Sequence, residues 1–264
     1  MQSPPIPPVP LTAADIQRGI EDLSPWFYPF ELGDGLRTIS SVPDEVADIF
    51  PTRLEMMERA VRGHFGTRLP EIDCLDIGCH EGFYSLGLAR MGVRRVTGLE
   101  PREDNLRRAR FVARATGIAN VEYVQGRVEE LAARGEVYPL TLFLGVLYHV
   151  MDPMLCLRNV SAATGELCVI ETQVVDEVEG FTEWGSRQWT REYHGILALI
   201  DESGEFHAGN RETGVVPLVT CPSPKALEAM LRHAGFARVE FIEPPAGAYE
   251  QHARRKRVVV TAYK

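Results

Sequence analysis

Regular alternation between short β-rich segments and longer helical segments is the feature that most constrains the fold of this chain. The alternation begins near Glu71 and predicts five strands separated by helices. The predicted strands are 72–77, 94–100, 121–125, 140–146 and 166–175. Strands joined by helical connections of this length pair in parallel and are covered by helices on both faces. The pattern therefore predicts a doubly wound α/β core.

The end of the chain predicts two more strands. A helix at 223–234 is followed by strands at 237–243 and 256–263. The loop between these two strands is too short for a crossover helix, so they are expected to pair antiparallel. The complete sheet is then seven-stranded and mostly parallel.

Two segments lie outside the alternation. Residues 1–70 predict an N-terminal tail and helical cap, in which the Pro-rich start is extended. Residues 71–264 predict the main domain. Residues 176–222 follow its fifth strand and therefore lie at the carboxyl edge of the sheet, where ligands bind in open α/β folds. This insertion is predicted to form a lid.

Composition excludes several classes of function. The chain has 28 Lys and Arg against 37 Asp and Glu, a net charge of −9, which argues against broad nonspecific nucleic-acid binding. The longest apolar stretch, 140–150, is far shorter than the ~20 residues that cross a bilayer. No His, Cys, Asp and Glu grouping has metal-ligand spacing, and no secretory signal is evident. A cytoplasmic protein without metal or membrane partners is expected.

A glycine-containing loop follows the first predicted strand of the core. Asp76, Gly78 and Gly82 form a D-x-G-x-x-x-G pattern, and Glu100 ends the next strand 22 residues after Gly78. Glycines allow the backbone to approach a ligand without Cβ clashes, and a carboxylate at the second strand suits ribose hydroxyls. A nucleotide-type cofactor site is predicted here.

The loop composition favours S-adenosylmethionine over a nicotinamide dinucleotide. A dinucleotide fingerprint requires a second glycine close to the pyrophosphate, and His80 stands at that position. The carboxylate of Asp76 is poorly suited to a diphosphate, but it is well suited to the ammonium group of a methionine moiety.

Several motifs together resemble the class I S-adenosylmethionine-dependent methyltransferases, which have a Rossmann-like fold. The cofactor motifs are CLDIGCHEGFYS (74–85), GLEP (98–101), LFLGVLYHVMDP (142–153) and IETQVVD (170–176). The flanking motifs WFYPFELGDG (26–35) and KRVVVTAYK (256–264) are similar to those of the tRNA wobble-uridine carboxymethyltransferase group and its relatives of unassigned substrate. The resemblance covers most of the chain from Trp26 onward.

The resemblance implies a role for each matching residue. Asp76, Gly78 and Gly82 are expected to hold the methionine end of the cofactor, and Glu100 the ribose. Three residues after the third strand are expected to flank the adenine: Gln125, Val128 and Glu129. Three residues after the fourth strand are expected to lie beside the sulfonium and the substrate entrance: Gly145, Tyr148 and His149.

One departure from the carboxymethyltransferases bears on the cofactor. In those enzymes a lysine, a tyrosine and an arginine are expected to neutralise the extra carboxylate of carboxy-S-adenosylmethionine. Tyr148 and Arg257 match two of the positions, whereas Phe27 or Tyr28 replaces the lysine. Because a buried carboxylate short of one cation is penalised, ordinary S-adenosylmethionine is preferred, with the carboxylated cofactor as the alternative.

Candidate residues for chemistry and substrate binding complete the prediction. The Tyr148 ring is placed to contact the cationic sulfonium, and His149 to accept a proton from the nucleophile, although in-line positioning alone suffices for a deprotonated acceptor. In the insertion, Trp184, Arg187 and Arg191 are candidate substrate-binding residues, with internal packing as the alternative for the tryptophan. Arg257 in the last strand is a further candidate substrate-binding residue.

The leading hypothesis is an S-adenosylmethionine-dependent methyltransferase. It moves a methyl group by in-line displacement to a nucleophilic O or N of a small molecule. One alternative is a tRNA wobble-uridine carboxymethyl- or methyltransferase. An alternative of another class is a catalytically silent protein that binds the cofactor as a sensor or scaffold.

Overall fold

The computed structural model describes residues 11–204, 213 and 215–264. The strands in these residues are β1 (Glu31–Gly33), β2 (Leu36–Arg37), β3 (Asp73–Ile77), β4 (Arg95–Glu100), β5 (Val121–Gln125), β6 (Tyr138–Leu144), β7 (Thr164–Gln173), β8 (Glu179–Glu183), β9 (Thr190–His194), β10 (Leu197–Asp201), β11 (Leu218–Pro222), β12 (Arg238–Ile242) and β13 (Arg257–Tyr263). The α-helices are α1 (Ala13–Asp22), α2 (Asp44–Ala47), α3 (Ile49–Phe65), α4 (Phe83–Arg90), α5 (Glu103–Ala115), α6 (Leu131–Arg134), α7 (Pro153–Ala163), α8 (Pro224–Ala234) and α9 (Glu250–Ala253). Short 3₁₀ turns span Gly66–Glu71, Val128–Glu130 and Leu147–His149.

The central sheet has seven strands in the order β12-β13-β7-β6-β3-β4-β5. The strands from β7 to β5 pair in parallel, whereas β13 pairs antiparallel with both β7 and β12. The predicted doubly wound, mostly parallel sheet with an antiparallel end is confirmed. The strand order changes direction beside β3, so the loops after β3 and β6 diverge there and leave a crevice at the carboxyl edge.

Alternating residues of the strands face two apolar layers. In β6, Leu140 and Leu142 belong to the cluster that packs against α3, α4 and α5. Phe143 lies on the other face, in the cluster packed against α7 and α8. Successive side chains of a strand point to opposite faces of the sheet. Because helices cover both faces here, the core strands are largely apolar on both faces.

The N-terminal cap packs on the sheet through the loop after β3. The buried Glu81 carboxylate accepts hydrogen bonds from the backbone N–H groups of Phe27 and Tyr28, at 2.9 and 3.0 Å. Trp26 is buried in the same apolar cluster as the strands of the core. The expected helices are present as α1 and α3, and the tail at 1–10 lies outside the described residues.

The insertion at 176–222 consists of two antiparallel pairs, β8 with β9 and β10 with β11. Residues 205–212 and 214 of the insertion lie outside the described part of the chain. Among the helices that the structure describes, none is both long and apolar enough to cross a bilayer.

Candidate active site

A cavity of about 510 Å³ lies at the carboxyl edge of the central sheet. Its lining includes the ends of β3, β4, β6 and β7, the start of β13 and part of the N-terminal cap. Cavities of 300 to 1,000 Å³ are typical of sites for small molecules and cofactors. The strand order places β3, β4 and β5 under one half and β6, β7 and β13 under the other.

The loop after β3 fits closely against its neighbours. Gly78 has φ +73°, and a Cβ atom there would lie 2.4 Å from Val146 Cγ2. Gly82 has φ +83°, and its Cβ would lie 2.2 Å from the Tyr123 hydroxyl. Gly78 lines the cavity, whereas Gly82 precedes α4 and does not. Both glycines are required by the backbone, but only Gly78 is placed to meet a ligand.

Asp76 lies behind this loop and is not part of the cavity lining. The Ser85 hydroxyl donates a hydrogen bond to its carboxylate at 2.5 Å. Burial raises the pKa of Asp76 to about 7 against the opposing effect of the Ser85 hydrogen bonds, and the nearby Glu100 adds to the rise. The geometry gives Asp76 a role in fixing the start of α4, and contact with the methionine end stays a prediction.

Glu100 ends β4 and lines the cavity, as predicted for a ribose-binding carboxylate. It accepts hydrogen bonds from the backbone N–H groups of His80 and Arg102, both at 3.1 Å, and from Asn105 Nδ2 at 3.0 Å. Burial raises its pKa above the usual value, and these hydrogen bonds oppose the rise. The carboxylate is therefore held in one orientation before a ligand binds.

The segment after β5 supplies the next part of the lining. Gly126, Arg127, Val128 and Glu129 line the cavity. Gln125 does not, because its side-chain amide donates to the Pro101 carbonyl at 3.0 Å. Of the three residues predicted to flank an adenine, the structure therefore brings Val128 and Glu129 to the cavity and leaves Gln125 outside it.

A buried ion cluster lies under the other half of the cavity. Glu171 is fully buried on β7 and is 3.0 Å from Arg53 Nη2 and 3.1 Å from Arg257 Nη1. Burial by itself disfavours the Glu171 carboxylate, but the two guanidinium groups outweigh it and hold its pKa below the usual value. The cluster therefore places two cations in the cavity wall and one anion, Glu171, buried behind them.

Arg53 is a cavity-lining residue that the sequence analysis did not identify. It belongs to α3, is 5% exposed and lines the cavity, and a Cβ at Gly145 would lie 3.1 Å from its Nη1. The helix α3 therefore supplies a second guanidinium to the cavity, besides Arg257. The preference for ordinary over carboxylated S-adenosylmethionine stays a prediction. The available signal was an arginine within the apolar stripe of α3, between Phe50 and Met57.

Tyr148 and His149 both line the cavity after β6, beside Gly145. The Tyr148 hydroxyl accepts a hydrogen bond from Arg257 Nη1 at 3.1 Å. Burial and the cations Arg257 and Arg102 lower the pKa of His149 to about 4. His149 is therefore neutral near pH 7, and its buried Nδ1 has no hydrogen-bond partner among the described residues.

The predicted substrate-binding residues divide into two groups. Arg257 lines the cavity, but Trp184, Arg187 and Arg191 do not. The last three are exposed on or beside the β8–β9 hairpin, where the Arg191 guanidinium lies 4.3 Å from the Trp184 ring centroid. The insertion reaches the cavity instead through Glu202, Thr213 and Val215. Substrate binding by Trp184, Arg187 and Arg191 stays a prediction that this geometry does not support.

The chemistry of the lining suits an organic ligand. Within the described part of the chain, no three His, Cys, Asp or Glu side chains are grouped so that they hold a metal ion. The cavity instead offers a fixed carboxylate at Glu100 and cations at Arg53 and Arg257. At Gly78 the absence of a side chain lets a ligand come close to the backbone. The buried Arg53 Nε has no hydrogen-bond partner among the described residues, which leaves a donor for a ligand. These groups fit the ribose and amino-acid ends of S-adenosylmethionine.

Comparisons with known proteins agree with this geometry. A methyltransferase domain family matches residues 70–213. A ubiquinone biosynthesis O-methyltransferase of Methylobacterium nodulans is 34% identical, over 67% of this chain and 85% of that protein. A tRNA U34 carboxymethyltransferase of Marinobacter nauticus is 36% identical, over 41% of this chain and 33% of that protein. The matches to two further ubiquinone biosynthesis O-methyltransferases span only 45% and 46% of those relatives' length.

A solved structure is similar over nearly the whole chain. The N-terminal domain of EvdMO1, crystallised in the presence of SAH and D-fucose, has a TM-score of 0.70 and 26% sequence identity, with 96% of this chain and 97% of that chain covered. The fold and the cofactor class inferred from the sequence are confirmed by these matches. This chain belongs to the methyltransferase domain family.

Proposed function

We propose that this protein transfers a methyl group from S-adenosylmethionine to a hydroxyl oxygen of a small molecule in the cytoplasm. The observation that carries the proposal is one continuous cavity joining the predicted cofactor residues Gly78 and Glu100 to Tyr148, His149 and Arg257. The O-methyltransferase names of the relatives support oxygen over nitrogen as the acceptor. The D-fucose of the EvdMO1 crystals supports a small hydroxylated acceptor.

The cofactor is held by residues at the ends of β3 to β6. Glu100 accepts hydrogen bonds from the ribose hydroxyls, while Val128 and Glu129 flank the adenine. Arg53 binds the methionine carboxylate, since its guanidinium lies beside Gly145 and is already buried. When bound, S-adenosylmethionine supplies an electrophilic methyl group on a sulfonium.

The other residues orient the acceptor and remove its proton. Arg257 donates a hydrogen bond to the Tyr148 hydroxyl after β6 and so holds the Tyr148 side chain in one orientation. The acceptor therefore binds against a side chain whose position is fixed. The neutral imidazole of His149 accepts the hydroxyl proton. Because the pKa of His149 is lowered to about 4, it is a weak base, and positioning contributes more of the rate than proton removal.

The test of this proposal combines binding and turnover. Calorimetry with S-adenosylhomocysteine measures cofactor affinity, and transfer of radiolabelled methyl groups to a panel of hydroxylated small molecules measures activity. Saturable binding together with methylation of at least one acceptor is expected. Binding without methyl transfer to any acceptor favours the catalytically silent alternative, and absence of binding overturns the site assignment.

A second candidate function is carboxymethyl or methyl transfer to a tRNA wobble uridine. Arg53, Tyr148 and Arg257 favour it, because together they place two guanidinium groups and a hydroxyl near the end of β6, where an extra carboxylate would lie. Glu171 already faces both cations, and the net charge of −9 disfavours RNA, so this function ranks second. Mass spectrometry of the co-purified ligand separates the two, since the carboxylated cofactor is heavier.

A further inference from the structure

Beyond the predicted cofactor residues, the cavity combines two kinds of lining. The N-terminal cap contributes an apolar part, formed by Val42, Pro43, Val46, Ile49 and Phe50. The sheet and the segment before β13 contribute a polar part. The polar residues are Tyr148, Gln173, Gln251 and Arg257. A ligand that fills this part of the cavity therefore needs both an apolar surface and several hydrogen-bonding groups.

Arg257 organises the polar part. Its Nε donates to Gln251 Oε1 at 2.8 Å, and its Nη1 donates to the Tyr148 hydroxyl and to Glu171 Oε1, both at 3.1 Å. Because the Tyr148 oxygen and the Gln251 carbonyl both accept from Arg257, the Tyr148 proton and the Gln251 amide N–H groups are left to donate elsewhere. The side-chain amide of Gln173 has no hydrogen-bond partner within the described chain and also lines the cavity.

Arg53 also lines this wall, and the proposed function assigns it to the methionine carboxylate. Apart from Arg53 and Arg257, the hydrogen-bonding groups that this wall offers are neutral. They are one phenolic hydroxyl, two amides and the uncharged imidazole of His149. The charge of Arg257 is met by Glu171, at 3.1 Å. An amide donates and accepts, which matches the donor and acceptor capacity of neighbouring hydroxyl groups. A ligand with a single hydroxyl would leave the half-buried amide groups of Gln173 and Gln251 without a ligand partner, and sites built to hydrogen-bond a hydroxyl discriminate strongly against analogues that lack it.

We propose that the methyl acceptor is an uncharged saturated ring with several hydroxyl groups, of the monosaccharide class. Gln173 and Gln251 are its specificity-determining residues, and the apolar cap residues cover its C–H face. The inference rests on the proposed function, because it assigns an acceptor to the same site.

The test uses the full-length protein, S-adenosylmethionine and two probes, methyl fucopyranoside and catechol. Methylation rates are measured for wild type, Gln173→Leu, Gln251→Leu and the control Gln188→Leu, which alters an exposed residue beside the β8–β9 hairpin. We expect the glycoside to be the better substrate. Each cavity variant should lower kcat/KM for it about tenfold or more, chiefly through KM, and leave S-adenosylhomocysteine affinity unchanged. Gln188→Leu should match wild type.

Binding measurements cover the case in which a variant is poorly folded or the glycoside is turned over too slowly to follow. Saturation-transfer NMR on the wild-type protein saturated with S-adenosylhomocysteine should detect the glycoside, and Gln173→Glu and Gln251→Glu should each weaken its binding. Preference for catechol overturns the inference, as does a protein–S-adenosylhomocysteine complex that neither binds nor methylates the glycoside. These outcomes leave the proposed function intact, whereas failure to bind S-adenosylhomocysteine overturns the proposed function itself.

Discussion

The carboxyl edge of the sheet and the inserted hairpins reverse the usual distribution of polarity. At the sheet edge, Glu171, Asp76 and Glu100 are at most 4% exposed. In the insertion, Trp189 and Leu199 are 69% and 70% exposed. The comparison teaches that residue type alone does not decide burial here. Charges are buried where paired groups satisfy them, and apolar side chains stay outside where a two-stranded hairpin has no second layer to cover it.

The difference also separates two signals that look alike in the sequence. The dense aromatic and basic group at Trp184, Arg187 and Arg191 resembles a recognition site, but its residues lie outside the cavity. Arg53, a single arginine in an apolar helix, lies in the cavity wall. A charge in an otherwise buried stripe is the stronger signal, because burying it requires a partner such as Glu171.

The largest expected effect on stability comes from breaking the buried ion cluster around Glu171. Glu171→Ala leaves Arg53 and Arg257 as unpaired buried cations, and losing one partner of such a cluster costs roughly 3–5 kcal/mol in the free energy of unfolding. Urea unfolding followed by circular dichroism measures the loss. The matched control is Glu183→Ala in β8, an exposed glutamate whose removal should leave the unfolding midpoint unchanged. Equal midpoints for the two variants would contradict the contrast between the regions.

The next effect concerns cofactor affinity. Glu100→Ala removes a carboxylate placed for ribose hydroxyls, and charge-assisted hydrogen bonds of this kind are worth about 1.5–3 kcal/mol, or roughly tenfold to a hundredfold in Kd. Calorimetry with S-adenosylhomocysteine measures the change. Glu103→Ala, an exposed glutamate three residues later, is the control and should bind like wild type. A Glu100→Ala protein with wild-type affinity would remove Glu100 from the site.

At the sheet edge, the buried carboxyl group of Asp76 should make the free energy of unfolding depend on pH. The pKa of Asp76 is about 7 in the folded protein, above its ordinary value of 3.8, so the folded state binds more protons than the unfolded chain between these values. The stabilisation is fully present below pH 3.8 and is lost as pH rises through 7, at no more than about 1.4 kcal/mol per pH unit.

Unfolding free energies of wild type and Asp76→Asn, measured without cofactor from pH 5 to 8, isolate this contribution. The stability of wild type relative to the variant should fall as pH rises. Glu100 has the same sign, because its pKa is also raised, and His149 has the opposite sign, because its pKa is lowered. Both remain in the variant, so a difference between the two proteins that is independent of pH would show that Asp76 does not titrate in this range.

The smallest expected effects lie in the insertion. Trp189→Ser and Leu199→Ser alter side chains that are about 70% exposed, so each should change the free energy of unfolding by no more than about 0.5 kcal/mol. Arg187→Ala should leave both S-adenosylhomocysteine affinity and turnover of a small acceptor near wild type, because Arg187 does not line the cavity. Reduced turnover with unchanged affinity would restore the predicted role of Arg187 in substrate binding.

Most of the fold and half of the site could be predicted before the structure. The strand and helix alternation gave the parallel core, since crossover connections leave few other arrangements. Four residues at or shortly after strand ends were assigned to one edge for the same reason: Gly78, Glu100, Gly145 and Tyr148. Gln125 was assigned to that edge as well, but its side chain turns to the Pro101 carbonyl, and sequence order does not specify that rotation.

The sequence by itself determined the topology, the cofactor edge and the family, because strand periodicity and loop glycines act over short distances along the chain. Only the tertiary structure joined Arg53, Glu171 and Arg257, which lie on α3, β7 and β13 and are separated by more than 80 residues at each step. It also decided that Gln173 and Gln251 line the cavity while Trp184 and Arg191 stay outside it. The physical reason is that the sign and partner of a buried charge depend on which elements pack together, and local pattern does not encode that packing.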